Sequence, residues 1–217
     1  MGTAFILGFQ KYYCMGFSKR GYVLLTGIIA LFIVIFVIAF SMDVSDPLDF
    51  VMRLGGLEGY CALSIATIMT PFLSSISRVF GKSFLTIHHI FALSGLALVT
   101  LHPIIYAIQQ VDISVFIPNF SSWDDFWSLG GRFALILLYI ALVAVLLRQK
   151  IKQYWRPIHA LMYVVLFLAI VHGTLLGGDF QKIGILIIFY LLFVTSVLTF
   201  VVKRIQAHSQ KRTKGSV

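Results

Sequence analysis

The segment HALMYVVLFLAIVHG, residues 159 to 173, sets two histidines thirteen positions apart across an almost unbroken apolar run. A second segment, HHIFALSGLALVTLH, residues 88 to 102, does nearly the same with its first and last imidazoles fourteen positions apart. His88, His89, His102, His159 and His172 all fall in these two stretches, and only His208 lies elsewhere, in a basic tail. Imidazole serves as acid, base, hydrogen-bond partner or metal ligand. Acid–base and nucleophilic roles need an oriented carboxylate or hydroxyl beside the ring, and no Ser, His, Asp grouping is arranged for them; no catalytic residue is assigned. Cys14 and Cys61 fall on opposite sides of the layout derived below, so neither a disulfide nor a metal thiolate is expected. Ligation by paired imidazoles is the chemistry these spacings leave.

The elements that position them follow from composition. The chain has 217 residues, 59% hydrophobic and 12% charged, with a mean hydropathy of +0.97, which is far too apolar for a water-soluble domain. Stretches able to cross roughly 30 Å of hydrocarbon lie near residues 22–41, 56–75, 84–108, 132–148, 158–176 and 183–202. The expected fold is therefore an all-α integral membrane protein, a six-helix bundle in the cell membrane. The first stretch lacks a small-residue cleavage site and reads as a retained span. Fourteen of the seventeen Lys and Arg residues fall on one side of this layout, leaving Arg53, Arg132 and Lys182 opposite. The positive-inside rule makes the first side cytoplasmic and puts both termini there. All eight acids fall on the outer side, outside the hydrocarbon. Residues 1–21 are expected as a cytoplasmic or interfacial segment, 22–202 as the membrane domain and 203–217 as a basic tail. The net charge of +9 serves topology and contact with anionic lipid, not nucleic acid.

The two histidine-bearing spans are the third and the fifth, which run parallel. His88 and His159 stand near the cytoplasmic end, and rises of about 21 Å and 19.5 Å bring His102 and His172 level with each other at the outer end. Two stacked imidazole pairs result, each offering one nitrogen from either side of a planar, largely apolar cofactor, and bis-histidine haem ligation has that shape. At about 100° per residue His88 and His102 share a helix face, whereas His89 stands about 140° from His102, so His88 is the expected ligand. The same arithmetic leaves His172 about 140° from His159, which a straight helix does not reconcile and only local over- or underwinding would. Gly95 and Gly173 would let flat rings approach the backbone, or serve close helix packing. Pro103 should bend span three just after His102.

The H-x13-H pattern of span three, with H-x12-H and a following Gly in span five, resembles the ferric reductase-like transmembrane domain shared by NADPH oxidases and ferric reductases, over about residues 20–205. RPIHALMYVVLFLAIVHG is also similar to the haem-binding membrane subunit of the periplasmic methionine sulfoxide reductase system, whose pattern usually lacks a histidine where His88 stands; the present sequence looks more like the four-histidine branch.

The resemblance implies two b-type haems, the inner between His88 and His159 and the outer between His102 and His172, with Arg156 and Arg132 as propionate partners at the inner and outer levels. It implies a one-electron relay from a cytosolic donor to ferric iron, oxygen, a quinone or a partner protein outside, the chain being the membrane oxidoreductase component of a multi-chain system. The alternative is a haem-binding anchor and electron-donor subunit for an extracytoplasmic reductase. With no Gly-rich nucleotide fingerprint after a strand, any flavin is expected from a partner chain, a flavin and NAD(P)H reductase docking on RQKIKQYWR, residues 148–156, with Arg78 and Lys82. The outer segment DISVFIPNFSSWDDFWSLGG, residues 112–131, is too apolar to be freely solvated and too polar to span; it reads as an interfacial aromatic belt or as a lid over the outer haem.

Overall fold

A computed structural model describes residues 18–42 and 46–214, with side chains as far as residue 206. The expected interfacial segment before residue 18, with Lys11 and Cys14, lies outside the described residues, as do Asp43 and the side chain of His208. The secondary structure among the described residues is helical throughout. Helix α1 covers Lys19–Phe40 and α2 Pro47–Met69. A 3-10 turn, Thr70–Phe72, joins α2 to α3, Leu73–Phe80. Helix α4 is Phe84–Gln110, α5 the short Trp123–Ser128 and α6 Gly130–Leu146. Helices α7, Trp155–His159, and α8, Met162–Leu176, share one axis interrupted at Ala160 and Leu161. The long α9 runs Ile183–Lys214.

Starts and stops obey local chemistry. The Ser18 and Ser83 hydroxyls accept from Gly21 N at 3.0 Å and Thr86 N at 3.2 Å, capping α1 and α4. Asp46 caps α2 by accepting from Leu48 N at 2.9 Å, with Pro47 at the first helical position. Pro71, which has no N–H to continue the ladder, sits in the 3-10 turn that ends α2. Helix α4 passes through Pro103 as one continuous element.

Among the described residues five helices are long and apolar enough to cross a membrane, α7 and α8 counting as one, and Gly130–Leu146 is a shorter apolar helix of 17 residues. Large apolar side chains stand outward along them, among them Val23, Ile33, Leu93 and Leu191. Such a belt suits hydrocarbon and not water. The chain is a multi-pass membrane protein.

Helix α2 is the centre of the bundle, buried almost without interruption from Leu57 to Met69. Helix α4 lies along one face of it, α1 and α9 against others, and α6 packs along α8. The crossing of α2 and α4 is close because it is made at glycine: a Cβ on Gly59 would stand 2.8 Å from Val99 N, and one on Gly95 3.0 Å from Gly59 O. Gly95 therefore serves helix packing. Gly173 does likewise, since its missing Cβ would fall 2.6 Å from the Phe180 ring.

The second helix corrects the expected boundaries. It begins at Pro47, nine residues before the apolar stretch, so Asp49 and Arg53 belong to α2 and not to an outer loop. Asp46–Pro47 is a strong start signal, and pairing of Arg53 removes the hydropathy objection. Glu58, 8% exposed, lies inside the bundle, so the acids do not all avoid it.

Candidate functional site

All four expected ligands share one local arrangement. His88 Nδ1 lies 3.2 Å from Ala66 O, His102 Nδ1 2.9 Å from Met52 O, His159 Nδ1 3.3 Å from Ala141 O and His172 Nδ1 2.6 Å from Ser128 O. A carbonyl oxygen only accepts, so each Nδ1 carries the proton and donates it. Each neutral ring is then left with its lone pair on Nε2, the tautomer used for metal ligation through that nitrogen. The carbonyls are themselves in register. Met52 and Ala66 are fourteen residues apart, like the two histidines of α4, and Ser128 and Ala141 thirteen apart, like those of α7 and α8. Helix α2 thus orients both imidazoles of α4, while α6 and the residue that ends α5 orient the other two.

At the basic end of the bundle, the His88 and His159 rings have centroids 6.5 Å apart at 77°. Two imidazoles bound to one metal from opposite sides stand about 6.4 Å apart, taking a bond of about 2.0 Å and about 1.2 Å from nitrogen to centroid on each side. Phe84 stacks on His88 at 5.4 Å. His89 is exposed and makes none of the carbonyl contacts. At the acidic end, His102 and His172 line a cavity of about 540 Å³, within the range of sites for a small cofactor. Glycines leave room around both rings: a Cβ on Gly56 would lie 3.1 Å from His102 Nδ1, and one on Gly131 2.9 Å from His172 Nε2. Among the described residues no cluster of three or more His, Cys, Asp or Glu could hold a bare metal ion. The donor set is two pairs, which fits a group supplying its own in-plane ligands.

The break at Ala160 and Leu161 reduces the angular mismatch of span five. Leu161 N bonds Ile158 O and Tyr163 N bonds Ala160 O, three residues back in each case. Such tightening advances each residue by about 120° instead of 100°. Two such steps narrow the offset between His159 and His172 from about 140° to about 100°.

Arg132 lines the cavity, and its Nη1 donates to Ser114 O and Ile117 O at 3.0 Å each. Those bonds hold a 3-10 turn, Ile113–Phe116, whose Val115 is 6% exposed and roofs the cavity. Asp112 closes the turn by accepting from the Ser114 hydroxyl at 2.6 Å, which with the Ser114 N–H keeps this carboxyl below its usual range. The aromatics of the outer segment do not form the roof. They pack on one another, Trp123 on Trp127 at 5.5 Å and Phe126 on Trp127 at 5.1 Å. Arg156 is exposed beside Trp155, its guanidinium carbon 5.4 Å from the ring centroid.

Three features were not foreseen from the sequence. Arg53 donates to Asp179 through Nε at 3.1 Å and Nη2 at 3.0 Å, to Asp49 at 3.2 Å and to Ala39 O at 3.3 Å, tying α1, α2 and the segment before α9 at the cavity wall. Tyr60 also lines the cavity. Gly55 and Gly59, four apart in GGLEG, are a small-residue pattern that would have flagged the close crossing. Cys61 is buried, with a free thiol.

A family model described as the ferric reductase like transmembrane component matches residues 55–170, more than half of the chain. No curated protein and no solved structure matches.

Proposed function

We propose, for a chain that belongs to the ferric reductase-like transmembrane family, that it is a di-haem b-type cytochrome passing electrons from a cytosolic donor to an acceptor at the opposite face. Membership of the family supports transmembrane electron transfer in general. The observation that carries the finer reading is the fourfold repetition of one arrangement, an imidazole whose Nδ1 donates to a helix carbonyl. In this reading His88 and His159 hold the inner group and His102 and His172 the outer one. Bound haem supplies one-electron iron chemistry.

The protein's own part is to position and to insulate. Carbonyls of Ala66, Ala141, Met52 and Ser128 select the tautomer and ring angle, and a donated hydrogen bond also makes each imidazole a more basic ligand. Leu57, Leu138, Val165 and Leu166 line the cavity with dry apolar surface. Arg132, which lines the cavity, is the propionate partner at that end, Arg53 being bound already by Asp49 and Asp179; Arg156 stands at the other end. Helix α6 is the remaining span of a six-helix bundle with both termini in the cytoplasm. The donor is a cytosolic reductase that carries its own flavin and docks on the exposed basic residues around 148–156.

Purified protein from haem-replete cells should show a low-spin b-type spectrum with about two haems per chain. A colourless preparation would sink the proposal. One haem per chain would favour the alternative, an electron-donor subunit for an outer-face reductase.

A further inference from the structure

Buried hydroxyls in the bundle normally find a partner. Thr67 in α2 donates to Leu63 O at 2.8 Å and the fully buried Ser196 in α9 to Leu192 O at 2.8 Å, one turn back in each case. Tyr60 and Ser64 do not follow them. Tyr60 is 5% exposed and Ser64 fully buried; the two hydroxyls interact weakly with each other, and among the described residues neither has a hydrogen-bond partner of good geometry. A buried donor without an acceptor is costly, and in native structures such a group is explained by a strained site, a redox or catalytic role, or a bound water or ion.

Their position narrows what that contact is. Tyr60 lines the cavity that holds His102 and His172. It stands eight residues, about 12 Å of rise, from Met52, whose carbonyl orients His102, and six residues, about 9 Å, from Ala66, which orients His88. The ring is held rigidly, stacked on Phe189 at 5.0 Å and 22°, with Phe189 set edgewise on Phe180 at 5.2 Å. Leu63, Val165 and Leu166 line the same cavity with apolar surface. The Tyr60 hydroxyl is therefore an immobilised dipole in the wall of the cavity, in surroundings that screen it little.

We propose that Tyr60, backed by Ser64 one turn deeper, is a positioning residue that sets the reduction potential of the outer of the two bound groups. Its O–H donates towards the group held between His102 and His172, directly or through one ordered water. A donor stabilises the form with more negative charge, which is the reduced form. It leaves the inner pair, whose wall it does not line, unaffected. The inference rests on the di-haem reading and goes beyond it by naming a residue that separates the two potentials.

The test is a redox titration of the purified protein, followed by visible spectra, for wild type, Tyr60→Phe, Ser64→Ala and, as a control, Tyr139→Phe. The Tyr139 hydroxyl is engaged with Thr100 at 2.8 Å, and Tyr139 is not part of this cavity. Tyr60→Phe keeps the stack on Phe189 and should keep haem content. It should move the outer transition to lower potential, so that at the wild-type outer midpoint the ratio of reduced to oxidised falls about fivefold. Ser64→Ala should shift the same transition by less, and Tyr139→Phe should shift neither. Two haems with both transitions unmoved in Tyr60→Phe would overturn the role of Tyr60 and leave the di-haem reading standing. Equal shifts of both transitions would also overturn it. A wild type without haem would overturn both readings.

Discussion

At the residue scale the decisive atoms are ring nitrogens. Histidine inside a membrane is expensive unless its N–H is satisfied, and here four backbone carbonyls satisfy four Nδ1 donors without consuming the Nε2 lone pairs. Single alanine variants therefore separate the sites. His88→Ala or His159→Ala should remove about half of the haem and abolish reduction by a cytosolic donor. His102→Ala or His172→Ala should remove the other half and leave reduction of the inner group. His89→Ala should keep both, because that ring is exposed. Redox-difference spectra of the five variants check this. Loss of haem in His89→Ala with retention in His88→Ala would shift the register of α4 by one residue.

At the element scale the site depends on how closely α2 and α4 approach, since both α4 imidazoles reach carbonyls of α2. Gly59 sits at that crossing, where a Cβ would meet Val99 Cγ1 at 2.6 Å and Val99 N at 2.8 Å. The nitrogen belongs to backbone, so the helices themselves must separate. Gly59→Ala should cost about 1–3 kcal/mol and lower haem content at both levels. Gly27→Ala in α1, with nothing within 4 Å of the new Cβ, should change stability by about 0.5 kcal/mol or less. Thermal unfolding in detergent, read together with haem retention, compares the two. Equal behaviour would mean that the crossing is not what holds the imidazoles in register. Another element boundary carries visible strain: α4 ends at Val111 with φ 51, a left-handed conformation costly for a β-branched residue. The turn that follows is the one Arg132 holds as the cavity roof.

At the scale of the whole molecule, charge sorts to the two ends. Arg78, Lys82, Arg148, Lys150, Lys152 and Arg156 gather at the His88 and His159 end, and Asp112, Asp124, Asp125 and Asp179 at the other. Helix α6, at 17 residues, is shorter than the five candidate spans, and its crossing decides whether residues 148–156 face the opposite compartment from the outer segment that precedes it. In a Cys14→Ser background, Lys150→Cys should react with an impermeant maleimide only from the cytoplasmic side, and Trp123→Cys only from the outer side. Cys61 is buried and should stay silent. Labelling of both positions from one side would mean that α6 does not cross.

The sequence alone determined the features that local chemistry controls. Apolar runs place the helices because hydrocarbon tolerates nothing else, and the fourteen- and thirteen-residue spacings put imidazoles at matching levels because helical rise is constant. Only the tertiary structure decided which groups meet across helices. The carbonyl partners leave no trace in residue identity, since every residue carries a carbonyl. The overwound step at Ala160 and Leu161 was foreseen only as a discrepancy of angle, because winding responds to packing. Arg53 and Glu58 lie inside α2 against their hydropathy. A hydropathy window counts charges but does not see that Asp179, 126 residues away, folds back to bind the guanidinium. Tyr60 reads in the sequence as one more aromatic in an apolar helix. Its unpartnered hydroxyl appears only once the cavity wall has formed around it.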